Sequence, residues 1–466
     1  MKHHLLLPLL FALLALAPLA QAADAPTARE LGYDIAETGL DGRTFVVSPD
    51  GDDDNPGTEE RPMRTPQAAA DRVEPGDTVL LRAGEYTNQG AAPVLEIQRG
   101  GDRRNWVRFA SYPGETATIR FDGLRGVRVG AASHVVIEGL EVVGVAEQID
   151  PAEALAHATA FKGSDFSQHR FFGVGVRLGD EPGETPHHVI IRGNTIHHTP
   201  GGGVSIARSD YVLVEGNHIY KTSFYSPWGE SGVSMWRSVD SDNERRAYKM
   251  VVKDNLIHQN DNLVPFWVME QYTDGNGIIL DANEATPGPG SEDHKSYRGR
   301  FLVVNNVCFG NGGRGVNVFE TRNADVRHNT LANNATRGNI GSEVELGRTD
   351  RVQIRNNVIV PGAGKKAVGG YSTQRQDIDA NLVHGGTQSD FPLGGDAATG
   401  APGLPAGADA RPDGPVVELS LEDFRPAPGS AAAGVGDPRA SFPVDALGAP
   451  RGGEPLTAGA LQPGGA

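Results

Sequence analysis

Acidic, basic and aromatic side chains recur along one set of short strands and the loops beside them. The strands are Gly203-Val204-Ser205-Ile206, Gly232-Val233-Ser234-Met235, Gly277-Ile278-Ile279-Leu280, Gly315-Val316-Asn317-Val318 and Ser342-Glu343-Val344-Glu345-Leu346. Alternation turns Val, Ile, Met and Leu inward. It leaves an outward column of Ser205, Ser234, Trp236, Ile279, Asp281, Asn317, Glu343 and Glu345, joined by Arg177 from an earlier turn. Two carboxylates facing one space can act as acid and base in glycoside hydrolysis, and Asp281 with Asp274 or Glu345 is the candidate pair. A base beside a neutralised sugar carboxylate can instead remove the neighbouring proton and start a β-elimination. Lys295, His294, Arg314 and Arg348 are the candidates for catalytic work of that kind. Trp236 and Trp267 are candidates to stack on sugar rings. Arg177, Arg237, Tyr272 and Arg298 are further candidate substrate contacts.

These strands belong to a repeat. An apolar run ending in Asn recurs as Val189-Ile190-Ile191-Arg192-Gly193-Asn194, Val212-Leu213-Val214-Glu215-Gly216-Asn217 and Val251-Val252-Lys253-Asp254-Asn255, and again before Asn306, Asn329, Asn357 and Asn381. The separations are 23, 38, 51, 23, 28 and 24 residues. A step of 23 suits one three-stranded turn of a solenoid, so the steps of 38 and 51 contain insertions of 15 and 28 residues, within Arg237 to Tyr248 and Ala282 to Arg300. Solenoids place insertions in loops on one face. Both follow an outward-facing strand and are expected to wall the same side. Asn suits such corners because it tolerates left-handed backbone. Turns stacked about 4.8 Å apart let equivalent amides bond along the axis as a ladder. The expected fold is all-β, a right-handed parallel β-helix over residues 23–385.

The ends read differently. Thr65 caps a helix opening at Pro66, placed to cover the first turn, where a solenoid would otherwise expose apolar core and strand edges. Residues 386–466, rich in Gly, Pro and Ala, are expected to run irregularly over the last turns. Lys2, the apolar run Leu5 to Leu16 and Ala20-Gln21-Ala22 read as a signal peptide covering residues 1–22, implying a secreted or periplasmic protein with no integral membrane segment after cleavage. One cysteine, Cys308, excludes an intramolecular disulfide and reads as a small packing residue. A net charge of −17 argues against nucleic acid as partner. A monomer is expected. His187-His188 and His197-His198 look like metal pairs, but neighbours on a strand point to opposite faces, which argues against zinc.

The opening Val47-Ser48-Pro49-Asp50-Gly51-Asp52, the strand Pro75-Gly76-Asp77-Thr78-Val79 and Gly84-Glu85-Tyr86-Thr87 resemble the pectate-lyase-like right-handed β-helix superfamily, and the opening is most similar to family 9 polysaccharide lyases. The resemblance implies cleavage of an anionic, uronic-acid-containing polysaccharide or oligosaccharide by β-elimination, with Ca²⁺ as candidate cofactor. Hydrolysis, uronate C5-epimerisation and non-catalytic carbohydrate binding are alternatives on the same scaffold. The stretch nearest to the family 9 calcium cluster is Tyr272-Thr273-Asp274-Gly275-Asn276-Gly277 with Asp281, and it lacks that cluster's acidic pattern. Family 6 lyases, similar in placing Asn on one front strand and two alternate Glu on the next, imply Asn317, Glu343 and Glu345 as calcium ligands. Asp274 and Asp281 complete the candidate metal set.

Overall fold

The computed structural model describes residues 28–29, 31–87, 90–285, 295–394, 398–451 and 456–463. The signal-peptide reading and His294 fall outside them. Within them the chain winds as a right-handed parallel β-helix of three sheets, with eleven, eleven and nine strands. Each coil contributes a front strand, a second-sheet strand and a third-sheet strand, such as Val204–Ala207, Asp210–Glu215 and His218–Tyr220. Inward Val, Ile, Leu and Met side chains stack coil on coil into one continuous core. The helix Pro66–Ala70 is capped by the Thr65 hydroxyl, which accepts from Ala68 N, and it buries Pro66, Ala69 and Ala70 over the first coils.

All seven repeated asparagines form one ladder at the corner between the second and third sheets. From Asn194 to Asn357, each side-chain oxygen of the next coil accepts both the backbone and the side-chain N–H of the Asn before it, at 2.8–3.1 Å. The corner geometry differs from the sequence expectation in one respect. The left-handed residue is the one preceding each ladder Asn: Gly193, Gly216, Asp254, Asn305, His328, Asn356 and Ala380. The ladder Asn supplies hydrogen bonds, and its predecessor makes the turn.

A second ladder, not foreseen, runs at the corner leading into the front sheet. Asn260 donates to Asn311, Asn311 to Asn334, and Asn334 to the Glu343 carboxylate.

Residues 386–463 do not stop at the last turns. Gln259 Nε2 donates to Arg411 O and Pro415 O, both at 2.8 Å, and Phe424 packs on Phe309 at 5.2 Å between ring centres. This segment covers an outward apolar strip of the third sheet made by Leu256, Val307, Phe309 and Ala332. Buried Arg451 pins it, donating to Asn305 Oδ1 and to the Gly459 and Ala460 carbonyls. At the other end, Tyr33 and Ile35 lie along the second sheet against Trp106, Leu213 and Tyr248.

Candidate active site

The front sheet carries a cleft of about 690 Å³. Its floor is two rows in register across coils: Arg177, Ser205, Ser234 and Ile279, and beside them Ala207, Trp236 and Asp281. One wall comes from chain that enters the front strands, bringing Trp228 and Glu230 on one loop and Phe266 and Trp267 on the next. These loops are held by a helical insertion. The helix Pro151–Ala160 starts at Asp150, whose carboxylate accepts from Ala152 N, and it buries Ala154 and Ala158. Just beyond it, Phe161 packs edge-on against Trp228 and Trp267, both at 6.0 Å. The opposite wall is basic, built from Arg125, Arg208 and Arg237 around Asp180.

Arg208 and Arg237 arrive through one backbone device, whereas Arg125 opens its strand. The residue closing each front strand is left-handed, at Arg208, Arg237, Ala282, Glu320 and Arg348. That conformation lifts the side chain off the pleat beside its neighbour one coil away. Arg237 and Arg208 therefore flank Trp236, with guanidinium carbons 4.5 and 5.5 Å from its ring centre, an arrangement that presents an aromatic face with positive charge on either side.

Electrostatics divide the carboxylates. Burial alone would raise Asp180, but Arg125, Arg177 and Arg128 outweigh it and hold it at about 2. Asp281 goes the other way. It keeps some surface open to the cleft, yet desolvation, then repulsion from Asp274 and Glu320, overcome the pull of Arg237 and push it up to about 8. Asp274 rises to about 6, again chiefly by burial, against hydrogen bonding from Thr273 and the charge of Arg314. Glu230 accepts a 2.8 Å hydrogen bond from Ser205 Oγ within the cleft. Arg177 Nε is buried 3.2 Å from Asp180 but out of hydrogen-bond alignment, an unmatched donor in the floor.

Of the residues singled out from sequence, Arg177, Trp236, Arg237, Trp267 and Asp281 meet in this cleft. The others lie elsewhere. Arg314 pairs with Glu345 at 3.0 Å and donates to Thr273 O, and Glu345 also accepts from Ser342. Asn317 is buried beside Glu345. Asp274 accepts from Thr273 and Asn276. Arg337 covers the Tyr272 ring at 4.6 Å. Arg348 pairs with Glu320. Arg298 pairs with Asp240 beside the second sheet, and Lys295 is exposed in the same loop.

Three corrections follow. Glu343 is not on the open face with Glu345. It stands where preceding coils have Gly232, Gly277 and Gly315, beside the second ladder, and its carboxylate ends that ladder, fully buried and raised to about 8 by desolvation. The five proposed calcium donors therefore do not gather. Glu343 is tied into the ladder and Glu345 into its pair with Arg314, and among the described residues the one group of three His, Cys, Asp or Glu side chains with ligand atoms within 4.8 Å of one another consists of histidines. A calcium cage does not fit these residues. Nor, apart from Arg237, do the described residues of the insertions after the front strands wall the cleft. Beyond Arg237, residues 238–248 and 295–300 fold away onto the second sheet, drawn by Asp210, Lys249 and Asp240. Lys249 Nζ lies 2.6 Å from Asp210, and Tyr297 donates to Asp210 at 2.6 Å.

Glu230, Arg125, Asp180, Arg208, Trp228 and the helical insertion went unread in the sequence. The insertion precedes Asn194, where Leu140 occupies the ladder position and its N–H bonds Asn194, so no Asn marks the coil before it. Aligning Arg208 with Arg237 as strand-closing residues would have found the basic wall.

Residues 45–223 match the family model described as Pel9A-like, right handed beta helix region. The fold is a right-handed parallel β-helix, and over residues 45–223 it is similar to that family. This β-helix is 35% identical over 82 residues to pectate lyase PEL9 of Emericella nidulans, covering 18% of the chain and 19% of that protein. It is 26% identical over 121 residues to the uncharacterized protein YwoF of Bacillus subtilis, covering 24% of the chain and 25% of that protein. The chain thus spans a quarter or less of the curated relatives it matches. Among solved structures, pectate lyase Pel9A aligns over 93% of this chain and 99% of its own, at 15% identity and a TM-score of 0.49. The GH136 lacto-N-biosidase from Eubacterium ramulus aligns over 77% and 67%, at 16% identity and 0.46. Among the described residues no helix is long and apolar enough to cross a membrane.

Proposed function

We propose that this β-helix binds a uronate-containing, anionic polysaccharide in the front-sheet cleft and cleaves it by β-elimination, as an exported protein. The observation that carries this reading is the union of four arginines and three tryptophans in one cleft of a chain whose net charge is −17. Arg177, Arg208 and Arg237 offer guanidinium groups to a sugar carboxylate, which makes the proton on the adjacent carbon more acidic. Glu230 takes that proton. A carbon–carbon double bond forms as the glycosidic carbon–oxygen bond breaks, and protonated Asp281 gives its proton to the departing oxygen. Calcium has no part in this scheme.

Hydrolysis is the second reading, favoured by the pairing of a high Asp281 with Glu230 in the same space. There Glu230 acts on a water or on the sugar itself. The product separates the two. Incubation with pectate, alginate and glycosaminoglycans is expected to give ultraviolet-absorbing unsaturated ends on at least one polymer, with a rate changed less than about twofold by added calcium. Reducing ends without absorbance would establish hydrolysis, and neither product on any polymer would remove both readings. Trp236→Ala is expected to raise KM roughly tenfold with kcat little changed, because a stacking face flanked by cations contributes mainly to binding. A drop in kcat at unchanged KM would assign Trp236 another role.

A further inference from the structure

His134, His187 and His188 come together on the second-sheet side, away from the cleft, and each offers a ring nitrogen within 4.8 Å of the other two. Strand alternation should separate His187 from His188. It does not, because His188 is left-handed at φ 55° and swings its ring back toward its neighbour, leaving the two Nδ1 atoms 2.9 Å apart. His134 is left-handed too, at φ 58°, and occupies the equivalent corner one coil earlier, since Val135 pairs with Val189. Its ring stacks on His188 at 4.7 Å and 12°. We propose that His134, His187 and His188 form a binding site for one borderline divalent transition-metal ion, of the zinc, nickel or copper class.

The geometry is close to what such an ion requires. Zinc–nitrogen bonds of about 2.0–2.1 Å place tetrahedral donor atoms roughly 3.3 Å apart, between the 2.9 Å of the histidine pair and the 4.8 Å limit of the trio. Small ring rotations suffice. Neighbouring aromatic rings hold the imidazoles in place. Trp106 lies edge-on to His134 at 5.3 Å, and Tyr211 stacks on His188 at 4.4 Å. His187 and His188 are only partly buried, so an ion can enter from their side. His134 and His187 lie on either side of the helical insertion that walls the cleft, so the ion would tie together the two coils from which that insertion springs.

The test uses the full, tag-free chain, stripped with chelator and titrated calorimetrically with Zn²⁺ and Ni²⁺. One equivalent is expected to bind and to raise the melting temperature, because the site exists only in the folded chain. His134→Gln and His187→Gln, each checked for native circular dichroism, are expected to weaken binding at least ~10-fold. His197→Gln, in the neighbouring histidine pair, is expected to leave it unchanged. In the unaltered protein, Zn²⁺ should protect His134, His187 and His188 from diethylpyrocarbonate, read by peptide mass, which needs no variant to fold. Absence of binding, binding that survives both substitutions, or protection of other histidines instead would overturn the proposal.

Discussion

Asp281→Asn is expected to lower kcat at least ~10²-fold on the active polymer, within the range for loss of a positioned general acid, and to make the folded chain more stable above pH 8. The two effects share a cause. Asp281 is held at about 8 by desolvation and by Asp274 and Glu320, whereas in the unfolded chain it returns to the ordinary carboxylate range. Between those two values the folded state holds a proton that the unfolded state has released, so stability falls as pH rises through that window. Below the lower value both states are protonated and the effect vanishes. Asn has no proton to lose, so the variant escapes the penalty while lacking the acid. The parent's activity should decline as pH rises through about 8, and thermal melts at pH 6 and 9 should show the variant gaining stability relative to the parent on the alkaline side. Retained activity in the variant would remove Asp281 from the chemistry. An unchanged stability difference between the two pH values would show that its carboxyl is not perturbed.

Asn306→Ala should be the most damaging single change in the scaffold. Asn306 accepts from Asn255 N and Nδ2 at 3.1 and 2.8 Å, and it donates to Asn329 Oδ1, Val252 O and Val304 O. The position is fully buried, so water cannot replace these partners. Leaving several buried groups unmatched costs on the order of 1–3 kcal/mol each, and a total loss of at least about 3 kcal/mol is expected. Urea unfolding measures it. A loss under ~1 kcal/mol would mean the ladder accompanies the fold without supporting it.

The contrast between these two sites explains what could be read from sequence. The Asn ladder was legible because each coil must satisfy the same corner with the same amide, so the physics repeats at a near-constant step. The inward strands were legible for the same reason. The cleft was only half legible. Arg177, Trp236 and Asp281 follow from strand alternation, which places outward residues without knowledge of the loops. Glu230 and Trp228 depend on how loops of different length fold back, and Phe161, which packs against Trp228 and Trp267, lies in an insertion with no ladder residue before it. Glu343 shows the limit of alternation. It was placed on the outward side, but a corner ladder of neutral amides claimed its carboxylate. The histidine pair failed for a related reason, since one left-handed residue cancels the alternation on which the argument depended.

The chain's last stretch has a consequence in time rather than in space. Each strand pairs with the one on the coil before it, so a chain that winds in sequence order always has a template in place. The apolar strip of Leu256, Val307, Phe309 and Ala332 has no such template. Its cover includes Phe424, Ala446, Ala460 and Leu461, residues synthesised more than a hundred positions after Leu256. In a chain that winds in that order the strip stays wet and adhesive until its cover arrives, the condition under which partly folded chains associate. Closing it is a late, long-range event, and the interval before it closes is when a nascent chain of this protein most needs to be kept from others of its kind.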